Sequence, residues 1–213
     1  IASYRAFVQA LPNDNKEYLS DHYVANLEKL PDASRERLLL GNWEYDDDQD
    51  ILIPYDSLLG MFSNPVDGNR WYITADIARQ GRDKTVIGLW RGFRLDKIVT
   101  IDKNNIPEAV QAIEKLRNQF GVPIVNIAID EDGIGGAVID SMAEGVIGIV
   151  GNSSPVRVEG QKENFGNLKS QLYFYLAKAI NDGKLYVRCS PEDREKITRE
   201  LEVQKRRDSD KDG

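Results

Sequence analysis

The chain has 213 residues, of which 41% are hydrophobic and 30% charged; this composition fits a folded globular protein and argues against global disorder. No apolar run approaches the roughly 18 residues that cross a bilayer, and the single cysteine, Cys189, excludes an intramolecular disulfide or a thiolate metal cluster. With one histidine, His22, a metal site must rest on carboxylates, which favour Mg²⁺ or Mn²⁺, and the net charge of −7 means that nucleic-acid binding would need a locally basic surface.

The first part of the chain, residues 1–66, differs from the rest in its pattern. Helices are predicted over residues 20–30 and 32–40, each preceded by a polar N-cap residue and ended by proline or glycine. An acidic stretch over residues 44–50 predicts a solvated loop. Because this part has few predicted strands and little core of its own, we interpret residues 1–66 as a linker or the tail of a preceding domain.

From Arg70 onward, strand and helix patterns alternate. The order is three antiparallel strands, then helix, strand, helix, strand, helix, strand and helix. Such an order predicts an α/β fold, with a mixed central sheet and helices on both faces, as in ribonuclease H-like proteins. The predicted strands cover residues 71–75, 85–90, 94–101, 123–129, 146–150 and 184–188, and the predicted helices cover residues 107–120, 135–143, 164–181 and 191–206.

Two aspartates stand at the ends of predicted strands. Asp76 follows the first strand and Asp130 follows the fourth. If these strands are neighbours, both carboxylates enter the crevice beyond the strand ends, where α/β sheets bind ligands. Two adjacent carboxylates repel each other unless a cation neutralises them, and two Mg²⁺ ions roughly 4 Å apart would suit phosphodiester hydrolysis. The alternative is that both are surface aspartates that end strands, since aspartate is frequent in turns.

Further charged residues follow Asp76 in the chain. Asp83 comes after the Gly81 turn, where it is either an additional metal ligand or the cap of a hairpin turn. Three cations close to Asp76 are candidate contacts to the DNA backbone: Arg79, Arg82 and Lys84.

Three segments together resemble one protein family. Residues 73–85 (ITADIARQGRDKT) are similar to the first nuclease motif of the large subunits of viral DNA-packaging terminases, and residues 129–135 (IDEDGIG) resemble the second. The stretch that joins the packaging ATPase to the nuclease in that family resembles DN at residues 14–15, YVANL at residues 23–27 and RLLLGNW at residues 37–43.

The resemblance implies a metal-dependent endonuclease that cuts concatemeric double-stranded viral DNA during packaging. Asp76 and Asp130 would be its catalytic metal ligands, with Asp83 as an accessory ligand, for two Mg²⁺ or Mn²⁺ ions. Residues 67–213 would form the nuclease domain and residues 1–66 the tail of an ATPase domain of the same polypeptide. The implied partners are double-stranded DNA, the terminase small subunit and the portal, in the cytoplasm of an infected bacterial host.

The chain departs from the family pattern at one point. The family's third catalytic aspartate lies in a motif that resembles Ser-Pro-Asp-x-x-Asp-Ala near the C-terminus, and this sequence has no such motif. We therefore expect the C-terminal end of the nuclease domain to be incomplete in this chain, with two strong ligands present and a third missing.

Two other functions remain possible from the sequence. An ATP-binding domain of the actin and sugar-kinase type has a similar sheet order, but its phosphate turn is shorter than residues 76–85 and no second phosphate hairpin is evident. A non-catalytic module that docks DNA or the portal would bind DNA without regard to Mg²⁺. Nucleotide titration and the metal dependence of DNA binding would discriminate these alternatives.

Overall fold

A computed structural model describes residues 11–15, 17–19, 21–28, 35, 38–41, 51–78, 83–102, 105–158 and 164–204. The chain forms two compact units, one of residues 1–51 with 205–213 and one of residues 52–204. The first unit contains helix α1, Asp21–Glu28, within the predicted helix 20–30. Most of the second predicted helix lies outside the described residues, but its end, Gly41, has a left-handed φ of 66°.

The second unit is built on a six-stranded sheet with the order β5-β4-β1-β2-β3-β6. Strand β2 runs antiparallel to both β1 and β3, whereas β1–β4, β4–β5 and β3–β6 are parallel pairs. The predicted mixed sheet is therefore confirmed. The strands are β1 Trp71–Asp76, β2 Lys84–Arg91, β3 Arg94–Asp102, β4 Ile127–Asp130, β5 Ile147–Ile149 and β6 Tyr186–Val187.

Helices pack on both faces of this sheet, as predicted. One core lies under α3 and α4, and a second core includes residues of α2, α5 and α6. In the described part of the chain, no helix has both the length and the apolar character needed to span a membrane. The helices of this unit are α2 Tyr55–Gly60, α3 Ile106–Phe120, α4 Gly135–Asp140, α5 Leu168–Asn181 and α6 Pro191–Glu202.

The alternation of β1 separates the core from the open face of the sheet. Ile73 and Ala75 are buried in the first core, while Thr74 and Asp76 are exposed on the opposite face. This is the period-two pattern of a strand with one covered face. The second core covers that opposite face only in part, so the end of β1 that carries Asp76 remains open.

Two elements differ from the predictions in type or presence. Helix α2 was not predicted; it forms because Leu58 and Met61, both at 0% exposure, pack in the second core. The predicted strand 123–129 begins as a 3-10 turn, in which the Asn126 N–H donates to the Pro123 carbonyl, and becomes β4 only at Ile127. Residues 52–66 thus belong to the sheet unit, and the assignment of residues 1–66 to an ATPase domain stays a prediction.

Candidate metal site at the sheet edge

The register of two neighbouring strands brings Asp76 and Asp130 together. Strands β1 and β4 are parallel, and Ala75 pairs with Ile129. The next residue on each strand is an aspartate, so the two carboxylates lie at the same edge of the sheet on adjacent strands, whose backbones are about 4.8 Å apart. The condition set by the sequence, that strands one and four be neighbours, is met.

The electrostatics of Asp76 reflect this crowding. Its side chain is exposed overall, but partial desolvation of the carboxyl raises the pKa of Asp76, and the negative charges of Asp130 and Asp83 raise that pKa further. A carboxylate that feels two like charges is stabilised by a bound cation. A divalent ion bound at this site would therefore relieve the repulsion between these carboxylates.

The turn after β4 holds Asp130 in place. Asp130 is half-buried, and its Oδ1 accepts a hydrogen bond of 3.0 Å from the backbone N–H of Asp132. The Glu131 N–H donates to the Ile149 carbonyl at 2.9 Å, which ties the turn to β5. Gly135 then packs directly on the backbone of Asp130, because a Cβ at this glycine would lie 1.7 Å from the Asp130 carbonyl oxygen.

A buried hydroxyl holds the other end of the site. Thr85 is at 0% exposure, and its Oγ1 accepts a hydrogen bond of 3.0 Å from the backbone N–H of Ala78. This bond links the segment that follows Asp76 at the end of β1 to the start of β2. The threonine of the sequence motif therefore fixes the loop that follows the first aspartate.

We expect Thr85→Val to destabilise the protein by about 1–3 kcal/mol, because it leaves the buried Ala78 N–H without its acceptor. Chemical denaturation measures this change. Thr100→Val, at an exposed position on the neighbouring strand β3, is the matched control and should shift stability far less. Equal effects of the two substitutions would contradict the role assigned to the Thr85 hydroxyl.

A groove of about 580 Å³ runs from the two aspartates across the open face of the sheet. Its floor includes the indole of Trp90, which donates a hydrogen bond of 2.9 Å to Thr74 Oγ1. Its far wall is α6, which contributes side chains at helical spacing that the sequence analysis did not single out. These are Asp193, Lys196, Ile197 and Glu200.

The donor set fits a hard divalent ion. Asp76 and Asp130 offer only carboxylate oxygens, which Mg²⁺ and Mn²⁺ prefer, and water and phosphate oxygens commonly fill the remaining positions around such ions. Among the described residues, no group of three His, Cys, Asp or Glu side chains is placed to hold a metal. Asp83 is exposed, and it acts on Asp76 through its charge.

Of the three residues predicted to contact DNA, only Lys84 lies among the described residues. Lys84 lines the groove, but its Nζ forms an exposed ion pair of 2.8 Å with Asp102. Lys196, on the opposite wall, pairs with Glu192 at 2.6 Å. Arg79 and Arg82 lie outside the described residues. Contact of Lys84 with DNA therefore stays a prediction, and it would compete with an existing partner.

Comparison with solved structures identifies similar folds. The nuclease domain of the large terminase subunit gp2 of bacterial virus Sf6 is 16% identical, with a TM-score of 0.59 over 71% of this chain and 80% of that chain. A mutant of that domain with manganese and beta-thujaplicinol gives the same values. The large terminase nuclease of thermophilic phage G20c with bound magnesium is 16% identical, with a TM-score of 0.50 over 73% of this chain and 81% of that chain.

Neither a scan of protein-family models nor a search of curated proteins finds a match. At this level of identity the structural likeness concerns the fold. It confirms the ribonuclease H-like architecture predicted from the order of strands and helices, in the form that terminase nuclease domains have.

Proposed function

We propose that this chain carries the nuclease domain of a phage-type terminase large subunit, a metal-dependent endonuclease that cuts concatemeric double-stranded viral DNA. The observation that carries the proposal is the pair Asp76 and Asp130 on adjacent parallel strand ends, with the pKa of Asp76 raised by partial desolvation and by its acidic neighbours. The likeness to terminase nuclease domains, including examples that contain manganese or magnesium, supports the same function.

In the proposed reaction, Asp76 and Asp130 would hold Mg²⁺ or Mn²⁺ beside the scissile phosphodiester. Bound ions of this kind activate a water nucleophile and neutralise charge on the leaving oxygen. Asp130 is held for this role by the Asp132 N–H, and the segment after Asp76 is held by Thr85. Asp83 would be an accessory ligand, and its negative charge contributes to the raised pKa of Asp76.

The wider setting follows from the same proposal. The substrate would be double-stranded DNA, and the terminase small subunit and the portal would be partners during packaging. Residues 1–66 would include the tail of the packaging ATPase domain of the same polypeptide. The place of action would be the cytoplasm of an infected bacterial host.

Metal removal tests the proposed function directly. For a protein that contains the complete nuclease domain, we expect conversion of supercoiled plasmid to nicked and linear forms in Mg²⁺ or Mn²⁺, complete inhibition by a chelator, and recovery when excess metal is added. Binding of Mn²⁺ to the protein, measured from the loss of the free-ion electron paramagnetic resonance signal, gives a readout that does not depend on cleavage.

Asp130→Asn, purified in the same way, is the control for a contaminating nuclease. It should lose nicking and most of the Mn²⁺ binding, because it removes one carboxylate of the pair. Cleavage that survives the chelator, or equal nicking by Asp130→Asn, would exclude the proposed catalytic site. Failure of the wild-type protein both to bind Mn²⁺ and to nick DNA would exclude the proposed function as a whole.

A further inference from the structure

A segment beyond β5, residues 150–158, lies along the first turns of α5; we call it the strap. The backbone N–H of Leu168 donates to the Ser153 carbonyl at 2.8 Å, and that of Lys169 donates to the Gly151 carbonyl at 2.9 Å. The Ser170 N–H is taken by the Asn167 side chain at 2.8 Å. Because these N–H groups at the start of α5 are occupied, a ligand at this surface would be bound by side chains.

One buried side chain locks the strap onto α5. Gln171 is 1% exposed, and its Oε1 accepts a hydrogen bond of 2.7 Å from the Val156 N–H while its Nε2 donates one of 2.8 Å to the Val156 carbonyl. A buried amide that satisfies both polar groups of one residue fixes the backbone at that point. Arg157, the next residue, is therefore presented to solvent from a rigid segment.

The strap begins at the edge that carries the metal-site aspartates. Asp130 pairs with Ile149, the last residue of β5, and the strap continues from there. A Cβ built on Gly151 would lie 3.5 Å from Oδ2 of Asp132 and 3.6 Å from Cβ of Lys169. The Lys169 side chain thus leaves α5 beside the turn that holds Asp130.

The charge of this surface is opposite to that of the chain. The sequence contains 35 acidic residues, yet residues 145–158 and 164–181 contain none; two glutamates occur between them, outside the described residues. Lys169 and Arg157 are exposed, and neither forms an ion pair with a described residue. In contrast, Lys84 and Lys196 in the groove are already paired.

We propose that the strap and the first turns of α5 form a DNA-backbone contact beside the cleaved bond, with Lys169 and Arg157 each bound to a phosphate of the duplex. This inference rests on the proposed function and names residues that hold its substrate. A backbone that is already held adds no ordering cost when a phosphate binds, and a cation without an ion-pair partner among the described residues does not first have to leave a carboxylate. Lys169 and Arg157 are thus positioning residues, and the aspartates carry the chemistry.

The test measures binding of a short fluorescein-labelled blunt duplex by anisotropy, with Ca²⁺ in place of Mg²⁺ and with intact DNA verified on a gel. Lys169→Gln and Arg157→Gln should each weaken binding about tenfold, as expected for the loss of one charge-assisted hydrogen bond. The dependence of log K on log salt should become shallower by about 0.9 for each cation removed. In the cleavage assay, the apparent KM should rise while kcat changes little.

Lys178→Gln is the matched control. Lys178 lies at the other end of the same helix, and its Nζ is paired with Oδ2 of Asp182 at 3.4 Å. It should leave affinity and salt dependence unchanged. Wild-type affinity and an unchanged salt slope in both Lys169→Gln and Arg157→Gln would overturn the proposed contact. Failure of the wild-type protein both to bind Mn²⁺ and to nick DNA would instead overturn the proposed function, so the two failures are distinguishable.

Discussion

Replacing Asp76 by asparagine is expected to make the metal-free protein more stable and, at the same time, to lower metal-dependent cleavage by roughly a hundredfold to a thousandfold. Both effects have one cause. Partial desolvation raises the pKa of Asp76, and the charges of Asp130 and Asp83 raise it further. At neutral pH the ionised side chain therefore costs folding free energy, and asparagine removes that cost.

The gain in metal-free stability should be modest, about 0.5–1 kcal/mol, because solvent screens charges at an exposed position. The opposite effect appears when metal is added. A ligand that binds the folded state stabilises it in proportion to its affinity, so Mg²⁺ or Mn²⁺ should raise the melting temperature of the wild type. Asp76→Asn should lose most of this increase. Thermal unfolding with and without metal, alongside the nicking assay, measures all three quantities.

Asp67→Asn is a suitable control for this experiment. Asp67 is 91% exposed and forms a long contact of 3.5 Å with Arg94, at the opposite end of the β1–β2 ladder from Asp76. Its substitution should change neither the metal-induced increase in melting temperature nor cleavage. If Asp76→Asn lowered metal-free stability, or kept the full response to metal, the carboxylate pair would not be the metal site.

Local sequence patterns predict the fold and the two central residues of the site. Alternating apolar residues place Ile73 and Ala75 in the core and leave Asp76 on the other face, and the order of elements makes β1 and β4 neighbours. Parallel strands share an edge, so two aspartates that each end such a strand must meet there. The sequence therefore places Asp76 and Asp130 together on the condition that β1 and β4 are neighbours, and the structure meets that condition.

The rest of the site depends on contacts that no local pattern contains. Contact of Lys84 with DNA stays a prediction, and no local pattern shows that the β2–β3 register places Asp102 opposite this lysine. The groove-facing residues of α6 are far from Asp76 in the sequence, so no local spacing rule links them. Only tertiary packing brings Lys196 to the same groove. Gln171 resembles an ordinary polar helix residue, and its burial follows from the strap that passes over it.

The two adjacent glycines at the start of α4 should respond in opposite ways to the same substitution. A Cβ at Gly135 would lie 1.7 Å from the carbonyl oxygen and 2.9 Å from the carbonyl carbon of Asp130. Both atoms belong to the backbone and cannot move without moving Asp130. We therefore expect Gly135→Ala to cost about 3 kcal/mol or more, at or beyond the upper end of typical overpacking, and to weaken Mn²⁺ binding.

Gly136→Ala supplies the matched control from the neighbouring position. The nearest atom to a Cβ there is Cγ of Glu131 at 3.6 Å, an ordinary van der Waals contact. Because alanine favours a helix over glycine, this substitution should be neutral or stabilising by up to about 1 kcal/mol, with Mn²⁺ affinity unchanged. Urea unfolding of both variants measures the change in stability, and Mn²⁺ titration measures the change in metal affinity. A Gly135→Ala protein as stable as Gly136→Ala would mean that the backbone of Asp130 is not held by this glycine, and the metal site would then lack the rigid support assigned to it.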